Sequence, residues 1–124
     1  METFGEYREL NNPQKLVIMK QELEEEFDPI LRYYLSGIIA RPLRIQSALD
    51  NGNVEEGLME SHSLKNICHQ LGLDAMGEIA ATVEHLCKSG AIEQALPPIH
   101  QLIASSHIAN QEITHFCGIA QEGA

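Results

Sequence analysis

Two neighbouring side chains carry the chemistry open to this sequence, His62 and Lys65. They stand in the run Glu60-Ser61-His62-Ser63-Leu64-Lys65-Asn66-Ile67-Cys68-His69-Gln70-Leu71-Gly72-Leu73. Neutral imidazole is a nucleophile near neutral pH, because its unperturbed pKa is about 6.5. An ammonium beside it offsets the negative charge of a phosphoryl group that the ring has taken up. That use requires a ring facing solvent from a firm support. Read as a helix at about 100° per residue, the run meets the requirement. With Leu64 at zero, Gly57, Ser61, Ile67, Cys68 and Leu71 fall within about 60° and form an apolar or small stripe. His62 lies about 160° away, Asn66 about 200° and His69 about 140°, on the outward side. Lys65 lies beside His62 on the surface. Spacing alone would look the same for a solvated histidine next to a solvated lysine.

The motif around them is more specific. The run His-Ser-Leu-Lys-Asn, followed by Leu71-Gly72-Leu73, resembles the signature of histidine-containing phosphotransfer (HPt) domains. That signature is His-x-Leu-Lys-Gly, with a small residue at the seventh position after the His and Gly at the tenth. His62, Leu64, Lys65 and Gly72 match it. The preceding Asp50-Asn51-Gly52-Asn53-Val54-Glu55 is similar to the turn that family places before its phospho-accepting helix, and the resemblance runs from Asp28 to Ser106. Asn66 stands where Gly is usual and His69 where Ala or Gly is usual, both on the His62 face where a partner would dock.

The resemblance implies a phosphorelay carrier in two-component signalling. His62 would accept a phosphoryl group from a receiver-domain aspartate or from a histidine kinase, hybrid kinases included, and pass it to a response regulator. Lys65 would steady the phosphoryl oxygens. Leu58, Met59, Asn66 and His69 would lie on the docking surface, with Arg41, Arg44 and Lys88 as a basic rim towards an acidic receiver. Mg²⁺ is expected on the partner receiver, and no cofactor or metal on this chain. The alternative is a non-catalytic helical-bundle interaction module, a degenerate HPt domain. The presence of both His62 and Lys65 favours the active carrier.

The supporting elements follow from composition and periodicity. The 124 residues fit one domain with a modest core. Hydrophobic residues make up 44% and aromatics 5%, with no Trp, which points to a core of Leu, Ile, Ala and Met. A formal charge of −10 makes nucleic acid a poor partner, since binding it relies on neutralising phosphates with Lys and Arg. The start Met-Glu-Thr-Phe-Gly-Glu shows no basic region followed by an apolar stretch, so no signal peptide is expected. Apolar runs fall well short of the about 20 residues that span a bilayer. The three cysteines, Cys68, Cys87 and Cys117, lack a CxxC spacing and read as small hydrophobes in a reduced, cytoplasmic setting.

Along the chain, residues 1–12 read as a flexible start, 13–118 as a single helical domain and 119–124 as a frayed end. Asn12-Pro13 starts a first helix, with Leu16, Ile18, Met19 and Leu23 as its apolar side and Glu22 to Glu26 as a solvated acidic stretch. Asp28-Pro29 starts a second, with Ile30, Leu31, Tyr34, Leu35, Ile38 and Ile39 inward. Pro42 either bends that helix or begins the next, and Leu43, Ile45, Ala48 and Leu49 continue the apolar side. Asn53 caps the helix of His62, and Gly72 ends it. Asp74 caps a further helix, with Met76, Ile79, Ala80, Val83, Leu86 and Cys87 inward, that closes at Gly90. A last helix is expected from Pro97, with residues 91–96 as a short turn before it. Short connections between long helices predict an all-α, up-down antiparallel four-helix bundle with an additional N-terminal helix, acting as a monomer.

Rival chemistries find less support. GxGxxG and GxxxxGK[ST] loops are absent, so no ATP site and no autonomous kinase activity are expected. Among the six histidines, Glu112 and His115 make one Glu-x-x-His pair, whereas di-iron bundles need two. His62 and His69, about 10 Å apart along the helix axis, cannot share one ion. His85, His100, His107 and His115 read as surface or half-buried bundle residues. Ser61 and Ser63 flank His62 but do not face it, and most carboxylates fall on exposed faces.

Overall fold

The Asn53 side chain opens the helix that carries His62 by accepting the Glu56 N–H at 3.1 Å. Gly72 closes it in left-handed backbone, with φ at 84°. Between those caps the buried residues are Gly57, Ser61, Leu64, Ile67, Cys68 and Leu71, the stripe that the helical wheel picks out. Five such helices make up the computed structural model, which describes residues 7–119. They are α1 (Gln14–Leu23), α2 (Phe27–Asp50), α3 (Val54–Leu71), α4 (Asp74–Ser89) and α5 (Ile92–Cys117), with a short 3₁₀ turn, Glu24–Glu26, between α1 and α2.

Helices α2 to α5 close a ring in which α2 packs on α3, α3 on α4, α4 on α5 and α5 back on α2. The connections are short, as antiparallel neighbours require. Phe27, Leu31, Ile38 and Ile45 of α2 meet Leu64, Cys68 and Leu71 of α3, Met76 and Val83 of α4, and Ile99, Leu102 and Ile113 of α5 in one core. Helix α1 lies across α2 and α3 and buries Leu16. Two expected core residues are exposed instead, Ile18 and Leu43. Each sits about 200° around its helix from a buried neighbour, Leu16 or Ile45, and so points the other way.

The prolines interrupt less than expected. Pro42 lies inside one continuous α2, because Ile38, Pro42 and Ile45 share the buried stripe and their packing outweighs one lost backbone bond. The last helix does not start at Pro97 but at Ile92, with Pro97 and Pro98 inside it. Ala95, Ile99 and Leu102 are all fully buried, so one straight stripe is worth more than two missing donors.

The expected caps are also redistributed. Asp28 sits in the first turn of α2 and Asp74 is the first residue of α4, neither at the capping position, and neither helix is capped by the residue before it. For α4 the cap comes from far along the chain, where Asn11 Oδ1 accepts the Ala75 N–H at 2.9 Å. Of the flexible start expected over residues 1–12, the described part is tied to the bundle. Residues 7–12 form a strap in which Leu10 is buried. The N–H groups of Arg8, Glu9 and Leu10 all donate to the Glu112 carboxylate. Those of Asn11 and Asn12 donate to the Gly72 carbonyl at 3.0 and 2.9 Å. Residues 1–6 lie outside the described residues. Of the frayed end expected over 119–124 only Ile119 is described, and its N–H donates to the Thr114 carbonyl at 3.0 Å.

Gly72 therefore ends α3, receives the strap and lies against it. A Cβ at this residue would collide with the Asn12 carbonyl oxygen while holding a backbone angle that L side chains rarely adopt. Gly72→Ala is expected to lower the free energy of unfolding by about 2 kcal/mol or more. Urea titration followed by circular dichroism checks this. The midpoint falls, and by more than for Gly52→Ala, where φ is also positive but an added Cβ meets nothing.

Candidate functional site

The outward face of α3 presents His62 with 55% of its side chain exposed, although the ring is not free to turn. Its Nδ1 lies 2.8 Å from Oε2 of Glu84, which reaches across from α4. The other oxygen of the same carboxylate, Oε1, accepts from Lys65 Nζ at 2.9 Å. Lys88, one turn further along α4, places its Nζ 3.7 Å from Oε2. One carboxylate thus gathers the histidine and two lysines, although its own side chain is only 9% exposed.

Partial burial by itself would raise the Glu84 carboxyl. The hydrogen bonds and charges of Lys65 and His62 outweigh it and hold the group below its ordinary value of 4.5. An ionised carboxylate has no proton to give, so the hydrogen in its bond to His62 sits on Nδ1. In the neutral ring Nε2 then carries the lone pair, on the solvent side. Asn66, one turn on along α3, places its Nδ2 3.4 Å from that atom. The site therefore holds a nucleophilic nitrogen of fixed tautomer, with ammonium groups close by.

The remaining expected site residues divide into those beside His62 and those further off. Leu58 and Met59 line a hollow together with His62, Ser63, Glu84 and Lys88. Met59 is 70% exposed, whereas Leu58 is half-buried against the core. Arg41 is paired with Glu60 through a 2.7 Å contact to Oε1, so its charge is already matched. With Arg44 it lines a separate hollow on α2 that also includes Tyr33 and Ser36.

His69 leans against α4. Its ring lies over Gly77, where an added Cβ would come within 2.8 Å of Cε1. Nδ1 is 3.9 Å from Asp74 and Nε2 3.8 Å from Glu78, on opposite sides of the ring. The glycine on the facing helix makes room for a large side chain where a small one is usual.

Glu84 is the residue of this cluster that the sequence reading missed. Among the described residues it is the one carboxylate that is buried, and its partner His62 is 22 residues away. The one local signal is an acid a single turn after the buried Ala80, at the edge of the apolar stripe of α4. Other candidate centres are accounted for structurally. Glu112 holds the N-terminal strap, and Tyr7 Oη lies 2.9 Å from His115 Nδ1. His85, His100, His107 and His115 are all exposed. Burial, with the Glu9 charge second, pushes the Cys68 thiol up to about 12. It pushes Cys117 up to about 11, so neither is a competing thiolate. Among the described residues no helix is long and apolar enough to cross a membrane.

Against protein-family models, residues 29–114 match the one described as Hpt domain. Comparison with curated proteins and with solved structures gives no match.

The Glu84 cluster has a pH signature. A carboxyl held below its ordinary value stabilises the fold fully above that value, and loses its share as pH falls through the depressed one. The stability difference between the wild type and Glu84→Gln is expected to shrink as pH falls below about 4.5. Denaturant titrations across that range check this. In ¹⁵N spectra at neutral pH the wild-type His62 is expected to show the Nδ1–H tautomer, and the variant a mixture.

Proposed function

The chain belongs to the Hpt domain family, and on that premise we propose that His62 reversibly carries a phosphoryl group between two-component signalling proteins. Hpt domains serve phosphotransfer in such systems. The observation that supports His62 as the carrier is its fixed tautomer: Nδ1 is engaged by Glu84 and Nε2 faces outward with its lone pair. The donor is a receiver-domain aspartyl phosphate or an upstream histidine kinase, and the acceptor is the aspartate of a response-regulator receiver.

In the forward step the Nε2 lone pair forms the N–P bond as the P–O bond to the donor aspartate breaks. The electron pair leaves on the aspartate carboxylate. Nδ1 keeps its proton, and the Glu84 carboxylate faces the positive charge that the ring then carries. Lys65, held one hydrogen bond away on the same carboxylate, is placed to swing towards the phosphoryl oxygens. Transfer onward is the reverse of these bond changes on a second aspartate. Mg²⁺ belongs to the receiver in this scheme, and this chain contributes no ATP site of its own.

The hollow beside His62, with Met59, Leu58 and Lys88 around it, forms the docking surface. Asn66 and His69 continue it along α3, and Arg44 adds positive charge from α2, where Arg41 is offset by Glu60. The contact is small, as a transient exchange requires. We place it in the cytoplasm, with the chain acting as a monomer.

The test is a label transfer. Mixed with a ³²P-charged receiver, the chain is expected to take up acid-labile, base-stable label. His62→Gln is expected to abolish it with helicity unchanged by circular dichroism. Glu84→Gln is expected to slow uptake about tenfold to a hundredfold, the loss of one charge-assisted hydrogen bond at the reacting ring. Label surviving in the His62 variant would move the carrier to another residue. No label from any receiver would leave the bundle as a protein-interaction module.

A further inference from the structure

The amide of Asn66 is a donor set beside the atom that must react. It lies 3.4 Å from His62 Nε2, at the long end of the hydrogen-bond range, and both side chains project from the solvent face of α3. The helix fixes this approach, because residues four apart are stacked neighbours. The other ring nitrogen is already committed to Glu84, so the Nε2 lone pair is the ring acceptor left for Asn66.

We propose that Asn66 sets the phosphoryl balance at His62, tilting it towards discharge. The inference rests on the carrier reading given above. The lone pair that accepts the Asn66 N–H is the same pair that forms the N–P bond. The hydrogen bond therefore exists only in the uncharged protein, and stabilises that form alone. By linkage, whatever stabilises the free ring draws the shared phosphoryl group towards the partner aspartate. In discharge the N–P bond breaks, its electron pair returns to Nε2, and the Asn66 amide is in place to meet it. A residue without a donor at this position would leave the pair to water and hold the phosphoryl group longer.

The equilibrium between phosphorylated receiver and phosphorylated chain tests this. The constant for exchange depends only on the end states, so altered docking, which changes both directions alike, cancels from it. Wild type and Asn66→Ala are each mixed with one labelled receiver, dilute enough to leave little complex. The two labels are read before the receiver loses its own. Alanine is a good helix former, so the scaffold is kept. The variant is expected to hold about two- to fivefold more phosphoryl group against the same receiver, the worth of one weak neutral hydrogen bond.

In the uncharged protein the ¹⁵N resonance of His62 Nε2 is expected to move downfield in Asn66→Ala while Nδ1 stays in place. An unchanged or lower share in the variant, with wild type labelled normally, overturns the role of Asn66 and leaves the carrier intact. An unmoved Nε2 resonance overturns it as well, whatever the label does. A wild type that takes no label from receivers removes the carrier reading and this inference together.

Discussion

A carboxylate taken almost out of water needs donors to match it, and Glu84 has them from two helices. His62 and Lys65 come from α3 and Lys88 from α4 itself. Removing any partner leaves more of the carboxylate charge buried and uncompensated, which is costly. The same requirement that ties α3 to α4 also decides which nitrogen of His62 faces outward. Structural and chemical demands thus meet in one side chain. A ring presented at the surface with its tautomer chosen in advance needs no rearrangement before it attacks. Lys65 shares that anchor, so its ammonium is kept near the ring without being spent on solvent.

Much of this was legible in the sequence, and the parts that were not share a cause. The outward direction of His62 and the buried stripe beneath it follow from a single helical period. Asn53 and Gly72 end α3 as their residue types suggest, since those caps involve only near neighbours in the chain. Glu84 escaped because its pairing spans two helices, and periodicity carries no record of which residue on a facing helix will be met. The cap of α4 escaped for the same reason: Asn11 supplies it from 64 residues away. Pro97 misled in the opposite direction. A local rule says that proline starts a helix, yet burial of Ala95 and Ile99 on one stripe carried α5 straight through.

The departures of this chain from its family signature have separate physical settings. Gly77 on α4 makes room for the His69 ring, so that substitution is answered within the fold. Asn66 has no such counterpart behind it. It stands on the solvent side of α3, 3.4 Å from His62 Nε2.

The N-terminal strap bears on where this domain begins. The family match opens at residue 29, yet the Glu112 carboxylate, the Gly72 carbonyl and the first turn of α4 are all completed by residues 8–12. Trimming the polypeptide to the matched span would strip the cover that Leu10 and Leu16 give the core, and leave those polar groups to water. The polypeptide that completes this bundle is therefore longer than the homologous segment, since residues 8–12 take part in it.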